Sequence, residues 1–137
     1  MTRYLLDTNI ASCIIKGNSP AVDRHLAKIP MAQLAVSAIT EGELRFGAAR
    51  LPHATRLRNL IEDFFLRAAV LPWDSDAAQQ YGQLRAALER EGQPMGNLDA
   101  MIAAHALALD AVLVTNDHAF ARIKNLKLAD WTKAPRH

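Results

Sequence analysis

The stretch Arg3-Tyr4-Leu5-Leu6-Asp7-Thr8-Asn9 sets the reading of this 137-residue chain. A short apolar run with an aromatic, too short for a helix, stops at Asp-Thr-Asn. A helical pattern (Ile10, Ala11, Ile14, Ile15) follows at once. The pattern is that of a buried strand feeding into a helix, with Asp, Thr and Asn side chains placed to bond the free N–H groups at the junction. Asp7 then stands at the carboxyl end of a first strand, where open α/β sheets carry their ligand sites. A plain helix cap satisfies the same local pattern, so the other carboxylates must decide between cap and site.

The same grammar repeats down the chain. Gly17 to Pro20 form a turn, with Pro20 opening a second helix that runs to about Ile29; Pro30 ends it. Leu34-Ala35-Val36 is a second strand, and Ser37 caps a helix from Ala38 to Leu51. Leu57, Leu60, Ile61, Phe64, Phe65 and Ala68 mark the plainest helix. Val70-Leu71-Pro72 is a third strand. Asp74-Ser75 caps a long helix carrying Ala78, Tyr81, Leu84 and Leu88. After the loop Gly92 to Gly96, a helix runs from Asn97 to Leu109. Strand Val112-Leu113-Val114 then ends in Thr115-Asn116-Asp117, as the first strand ends in Asp-Thr-Asn. A helical piece, Ala119 to Ile123, leads to a last strand at Leu126-Lys127-Leu128. Alternating strands and helices predict an α/β fold, a parallel sheet with helices on both faces. The predicted domain covers residues 1–132, and 133–137 read as a frayed tail.

Bulk properties exclude several classes. A chain of this length forms one domain with a core of its own. Cys13 is the only cysteine, which removes disulfide frameworks and cysteine zinc sites. No run approaches a membrane span and no signal-peptide pattern opens the chain, so the expected location is the cytoplasm. The net charge of +2 mildly favours an anionic partner. The five histidines (His25, His53, His105, His118, His137) lack zinc-ligand spacing, and there is no P-loop and no nucleophile elbow. His118 lies beside the expected site, where it either meets phosphate or is an ordinary surface group. Arg45, Arg50, Arg85, Arg90, Arg122, Lys124 and Lys127 form either a phosphate-tracking rim or solvated helix faces.

Four carboxylates converge in this arrangement. Asp7 and Asp117 follow strands and so emerge on one edge of a parallel sheet. Glu43 and Asp99 lie near the starts of helices that begin on that edge. Glu43 shares a stripe with Ile39, Phe46 and Gly47, and Asp99 shares one with Ile102 and Ala103, so both are expected to face inward. Each acid has a bland alternative. Glu43 could close a capping box with Thr40, Asp99 answer its helix dipole, and Asp117 serve a turn. Buried carboxylates without partners call for a proton or a cation, and oxygen-only ligation favours Mg²⁺ or Mn²⁺. Such ions generate hydroxide and bind phosphate oxygens, so the chemistry suggested is phosphodiester hydrolysis. Thr8, Asn9, Ser37, Thr115 and Asn116 are placed to hold the acids in position.

These residues resemble a known family. Leu5-Leu6-Asp7-Thr8-Asn9, Glu43-Leu44-x-x-Gly47, Gly96-x-x-Asp99-x-x-Ile102-Ala103 and Thr115-Asn116-Asp117-x-x-Phe120 look like the PIN domain. More narrowly they look like the VapC toxins of VapBC toxin–antitoxin pairs. The match runs over nearly the whole chain. The resemblance implies a Mg²⁺- or Mn²⁺-dependent endoribonuclease acting on RNA, often tRNA, with the initiator tRNA anticodon loop as a candidate target. It further implies a homodimer, a VapB-like antitoxin that blocks the site, and operator DNA reached only through that antitoxin. Asp7, Glu43 and Asp99 match the family's three most regular acids, and Asp117 or the adjacent Asn116 the fourth. Glu41 lies near Glu43 but outside the Glu-Leu-x-x-Gly register. A non-catalytic RNA-binding or regulatory module on the same fold is the alternative. A haloacid-dehalogenase-type site fits less well, because Asn9 stands where a second Asp is needed. A receiver-type site lacks its acidic pair. The apolar stripe from Leu57 to Ala68 is wide enough to suggest a groove for an antitoxin helix.

Overall fold

In the computed structural model, residues 1–133 are described, and Ala134 to His137 of the predicted tail lie outside the described residues. The order of elements is β1 (Tyr4–Leu6), α1 (Thr8–Lys16), α2 (Pro20–Ala27), β2 (Leu34–Ser37), α3 (Ala38–Ala49), α4 (Thr55–Arg67), β3 (Ala69–Leu71), α5 (Ser75–Arg90), α6 (Asn97–Leu109), β4 (Val112–Val114) and β5 (Lys127–Ala129). Two 3-10 turns, Met31–Gln33 and His118–Arg122, complete it. Every predicted strand and helix is present. The largest boundary shifts are two residues: α3 stops at Ala49 instead of Leu51, and α2 at Ala27 instead of Ile29, leaving Met31–Gln33 to lead into β2.

All four strand pairings are parallel, in the order β3-β2-β1-β4-β5. The pleat sends alternate residues to opposite faces. Leu6, Val36 and Val114 enter a core with Ile10, Ile15, Val22, Leu44, Ile61 and Phe64, beneath α1 to α4. Leu5, Ala35 and Leu113 enter the other with Leu84, Leu88, Ile102, Ala103 and Phe120, beneath α5 and α6. Both faces of the sheet are covered, which is why the strands read as continuous apolar runs. On α6 the buried positions include Ala100, Ala103, Ala104 and Ala106, small enough for that helix to lie close against its neighbours.

The chain winds outward from β1 through β2 to β3, then returns to β1's other side with β4 and β5. The winding direction reverses between β1 and β4, whose registers align Leu6 with Val114. A crevice opens beyond the carboxyl ends of such a pair of strands. Asp7 N–H continues the ladder by donating to Val114 O at 3.0 Å, so Asp7 sits at the lip of that crevice.

Past β5, Trp131 is buried against Tyr4 and stacks on His25, whose ring lies 2.8 Å from the Lys133 carbonyl through Nε2. Lys133, expected to begin the frayed tail, is therefore tied back to α2. No helix among the described residues is long and apolar enough to cross a membrane.

Candidate active site at the carboxyl edge of the sheet

Asp7 combines both readings of its sequence context. It caps α1, with Oδ1 accepting from Ile10 N–H at 2.8 Å, and it is 5% exposed, a nearly buried carboxylate. Burial pushes its pKa above the ordinary value; hydrogen bonds from Thr115 and Ile10 pull it back, and Asp99 and Asp117 push it up again. Asp99, in the first turn of α6, is also raised, first by desolvation, then by Asp117 and Glu43. Asp7 thus feels the charge of Asp99 and Asp117, and Asp99 that of Asp117 and Glu43, at the β1–β4 crevice.

Glu43 and Asp99 arrive differently from the expectation. The buried face of α3 is Thr40, Leu44 and Ala48, while Phe46 on the Glu43 stripe is 63% exposed. Glu43 is half-buried at the rim and held by a hydroxyl: Thr8 Oγ1 donates to its Oε1 at 2.7 Å. Asp99 is exposed although Ile102 and Ala103, one turn on, are buried. The reasons differ. The core-facing side of α3 runs through Thr40, Leu44 and Ala48, so the Glu43–Phe46 stripe lies off it. On α6 Asp99 shares its stripe with the buried Ile102 and Ala103 but stands one turn earlier, at the open edge. Asp117 is exposed as well; it caps the 3-10 turn through Ala119 N–H at 2.9 Å, and its own N–H donates to Thr115 Oγ1 at 3.0 Å.

The expected supporting residues divide. Thr8 holds Glu43, and Thr115, 4% exposed, serves both Asp7 and Asp117. Ser37 instead caps α3 through Ile39 N–H at 3.1 Å. Asn9 and Asn116 are exposed, and among the described residues neither side chain bonds a carboxylate. Thr40, expected only as a possible capping-box partner of Glu43, is instead fully buried with its hydroxyl 3.2 Å from that of Thr8. The sequence reading missed Asp130. It follows β5 as Asp7 follows β1, and its Oδ1 accepts from the Thr132 N–H and hydroxyl. Burial works to raise its pKa, but those bonds, Lys133 and His118 outweigh it and leave it below the ordinary value.

Three cations of the suggested rim are committed elsewhere. Arg45 pairs with Glu41 and Glu62 at 3.0 and 2.6 Å, Arg85 with Glu89 at 3.5 Å, and Lys127 with Asp110 at 2.9 Å. They are ordinary solvated pairs. The apolar stripe of α4 is largely used: Ile61, Phe64 and Ala68 are buried, leaving Leu57, Leu60 and Phe65 half-buried. A cavity of about 180 Å³ between α1, α3 and α4 is lined by Ile15, Leu44, Ala48, Leu51, Leu57 and Ile61.

The donor set tests the fit of a hard cation. Among the described residues no three His, Cys, Asp or Glu side chains form a ready-made metal-holding group. Mg²⁺ does not require one, since it commonly takes one or two carboxylates and keeps several waters. Asp7 and Asp99, their carboxyls raised first by burial and then by neighbouring carboxylates, present the oxygens and the unbalanced charge that such an ion answers. The residues fit.

Residues 4–126 match the PIN domain family model. The chain is 38% identical over 133 residues to the tRNA(fMet)-specific endonuclease VapC of Shigella flexneri, covering 96% of this chain and all of that one. It is 33% identical to Ribonuclease VapC2 of Rickettsia felis, over 95% and 98% of the two chains. Among solved structures it is similar to VapBC2 from Rickettsia felis bound to a promoter DNA fragment, at TM-score 0.89 and 32% identity over 95% and 99% of the chains. It is also similar to DNA-bound VapBC from Salmonella typhimurium, at TM-score 0.88 and 36% identity over 96% and 99% of the chains.

Proposed function

The chain belongs to the PIN-domain family, within its VapC ribonucleases, and from that premise we propose that it is a Mg²⁺- or Mn²⁺-dependent endoribonuclease toxin. The observation that carries the reading is the gathering of Asp7, Glu43, Asp99 and Asp117 where the sheet reverses its winding. Thr8, next to Asp7, bonds Glu43, Thr115 serves both Asp7 and Asp117, and Asp99 lies near enough to Asp117 and Glu43 to feel their charge. Asp7 and Asp99 would hold the cation, with Glu43 and Asp117 beside it. An ion held there would supply an acidified water and positive charge for the phosphate oxygens, the two needs of phosphodiester hydrolysis. The chain's own groups prepare the reaction. The Ile10 N–H and Thr115 fix the Asp7 carboxylate, and Thr8 fixes Glu43. Asp7, nearly buried, leaves the exposed Asp99 and Asp117 to meet substrate and solvent.

Structured RNA is the proposed substrate class, with initiator tRNA favoured by the tRNA(fMet)-specific relatives. A VapB-like antitoxin is the proposed partner, since similar structures are VapBC complexes. Its helix would use the apolar cavity between α1, α3 and α4, and an arginine would neutralise the acids by bidentate pairing. A cytoplasmic homodimer, reaching operator DNA through the antitoxin, completes the proposal.

The test is incubation of the purified protein with total RNA, with and without Mg²⁺ or Mn²⁺, followed by mapping of fragment ends. Discrete cuts that require the metal and vanish in Asp7→Asn are the expected result. RNA binding without cleavage under either metal would return the chain to the non-catalytic RNA-binding reading.

A further inference from the structure

Beside the acids, one strand over, lies a second feature that metal chemistry does not use. A cavity of about 230 Å³ opens beyond the carboxyl ends of β4 and β5, lined by Thr115, Asn116, Asp117, His118, Asp130 and Lys133. Asp117 and Thr115 belong to both places, so the cavity is continuous with the acidic crevice. Neighbouring strands stand about 4.8 Å apart. The shift from the β1–β4 crevice to the β4–β5 cavity is therefore of the order of one nucleotide step in a stacked strand, about 3.4 Å.

Its lining is chemically mixed, unlike the acids next door. His118 and Lys133 supply donors suited to a phosphate. Asn116 offers a carboxamide, which can both give and accept. Asp130 is an acceptor-only group whose Oδ1 is pinned by Thr132, so its orientation is set before any ligand arrives. Lys133 and the His118 ring line the same cavity as this carboxylate. Donors for a phosphate next to a fixed acceptor and an amide are the elements of single-nucleotide recognition, in which phosphate contacts position and base-edge contacts specify.

We infer that the β4–β5 cavity is a nucleotide subsite: it takes the RNA residue adjoining the scissile phosphate, with His118 and Lys133 on the flanking phosphate and Asn116 and Asp130 facing the base edge. This rests on the ribonuclease reading and adds a specificity element to it. Asp130 sets base preference at one position, and Lys133 contributes affinity for every base alike.

The test uses short RNA oligonucleotides built around a mapped cut, with each of the four bases placed in turn on either flank. The wild-type protein should discriminate among bases on one flank only. Asp130→Asn keeps an oxygen for the Thr132 bonds but replaces an acceptor by a donor, and should reorder the preference on that flank while its melting temperature holds. Lys133→Ala should raise KM several-fold for all four bases, with a smaller change in kcat, and should reduce the salt dependence of binding. An Asp130→Asn protein with the wild-type order of preference overturns the subsite. If the wild-type protein cuts no RNA, the ribonuclease reading has failed on its own. Fluorescence anisotropy of the same oligonucleotides then decides the subsite: flank-dependent affinity lost in Asp130→Asn supports it, and base-blind binding overturns it.

Discussion

Asp7 and Asp74 begin as the same device. Each follows a strand of the same parallel sheet and caps the next helix through Oδ1, Asp7 at Ile10 N–H (2.8 Å) and Asp74 at Ala77 N–H (3.1 Å). Their surroundings separate them. β1 is the centre of the sheet, flanked by β2 and β4, and Asp7 faces Asp99 and Asp117 across the crevice where the winding reverses. β3 is an edge strand, and Asp74 is exposed beside Trp73, whose indole N–H donates to Met101 O and pins α6. Cap chemistry is local, whereas site chemistry depends on which strands are neighbours.

Neutralising each acid in turn should separate cap from site most strongly. Asp7→Asn should lower RNA cleavage by roughly 10²–10⁴-fold, the range seen for groups acting directly in proton transfer or cation chemistry. Asp74→Asn should leave the cleavage rate of purified protein unchanged. Equal losses in both, read by single-turnover cleavage, would mean that Asp7 acts only as a cap.

Next in size is the support of Glu43. Thr8→Val removes the 2.7 Å bond while keeping the shape, and should cost roughly 10–100-fold in Mn²⁺ affinity or cleavage, as loss of an orienting neighbour does. Calorimetric Mn²⁺ titration checks it; wild-type affinity would make the Thr8–Glu43 bond incidental. No counterpart at Asp74 should exist.

Asp74→Ala removes the cap altogether, with an expected loss of about 0.5–2 kcal/mol in urea unfolding and no change in base or metal preference. Asp74→Asn, which can still accept from Ala77 N–H, should recover most of that loss. If Ala and Asn variants are equally stable, the cap is not what Asp74 contributes.

The smallest effect is in the pH dependence of the metal-free protein. Asp7 and Asp99 have folded-state pKa values raised above the ordinary carboxylate value, so the folded protein keeps protons that the unfolded chain has released. Their stabilisation is complete below the ordinary value of 3.8 and is lost as pH rises through the raised values. Between those limits, melting temperature should fall less steeply with rising pH in Asp7→Asn than in wild type. An unchanged slope would mean that neither burial nor the neighbouring carboxylates raise the Asp7 carboxyl.

Much of this was legible in the sequence because its cause is local. An apolar run that stops at an Asx residue and turns helical is a strand feeding a capped helix, and five strands with their helices followed from that pattern. The same pattern gave Asp7, and Thr115-Asn116-Asp117 repeated it. Asp130 went unread although it obeys the rule, because the last strand runs to Ala129 and the predicted one stopped at Leu128. Glu43 and Asp99 were expected to face inward and do not. The periodicity of α3 did not show which of its stripes meets the core, and that of α6 did not show where the core ends along the axis.

The residues alone determined that strands alternate with helices, that both faces of the sheet are covered, and that carboxylates stand at strand ends and helix starts. All of these follow from side-chain periodicity and the free N–H groups of a first turn. Only the tertiary structure decided the strand order. No residue in the chain states that β1 lies between β2 and β4, because parallel strands pair through backbone groups that every residue carries. That order brings Asp7 to Asp117, sets Asp74 apart at the edge, and opens the β4–β5 cavity beside the acids.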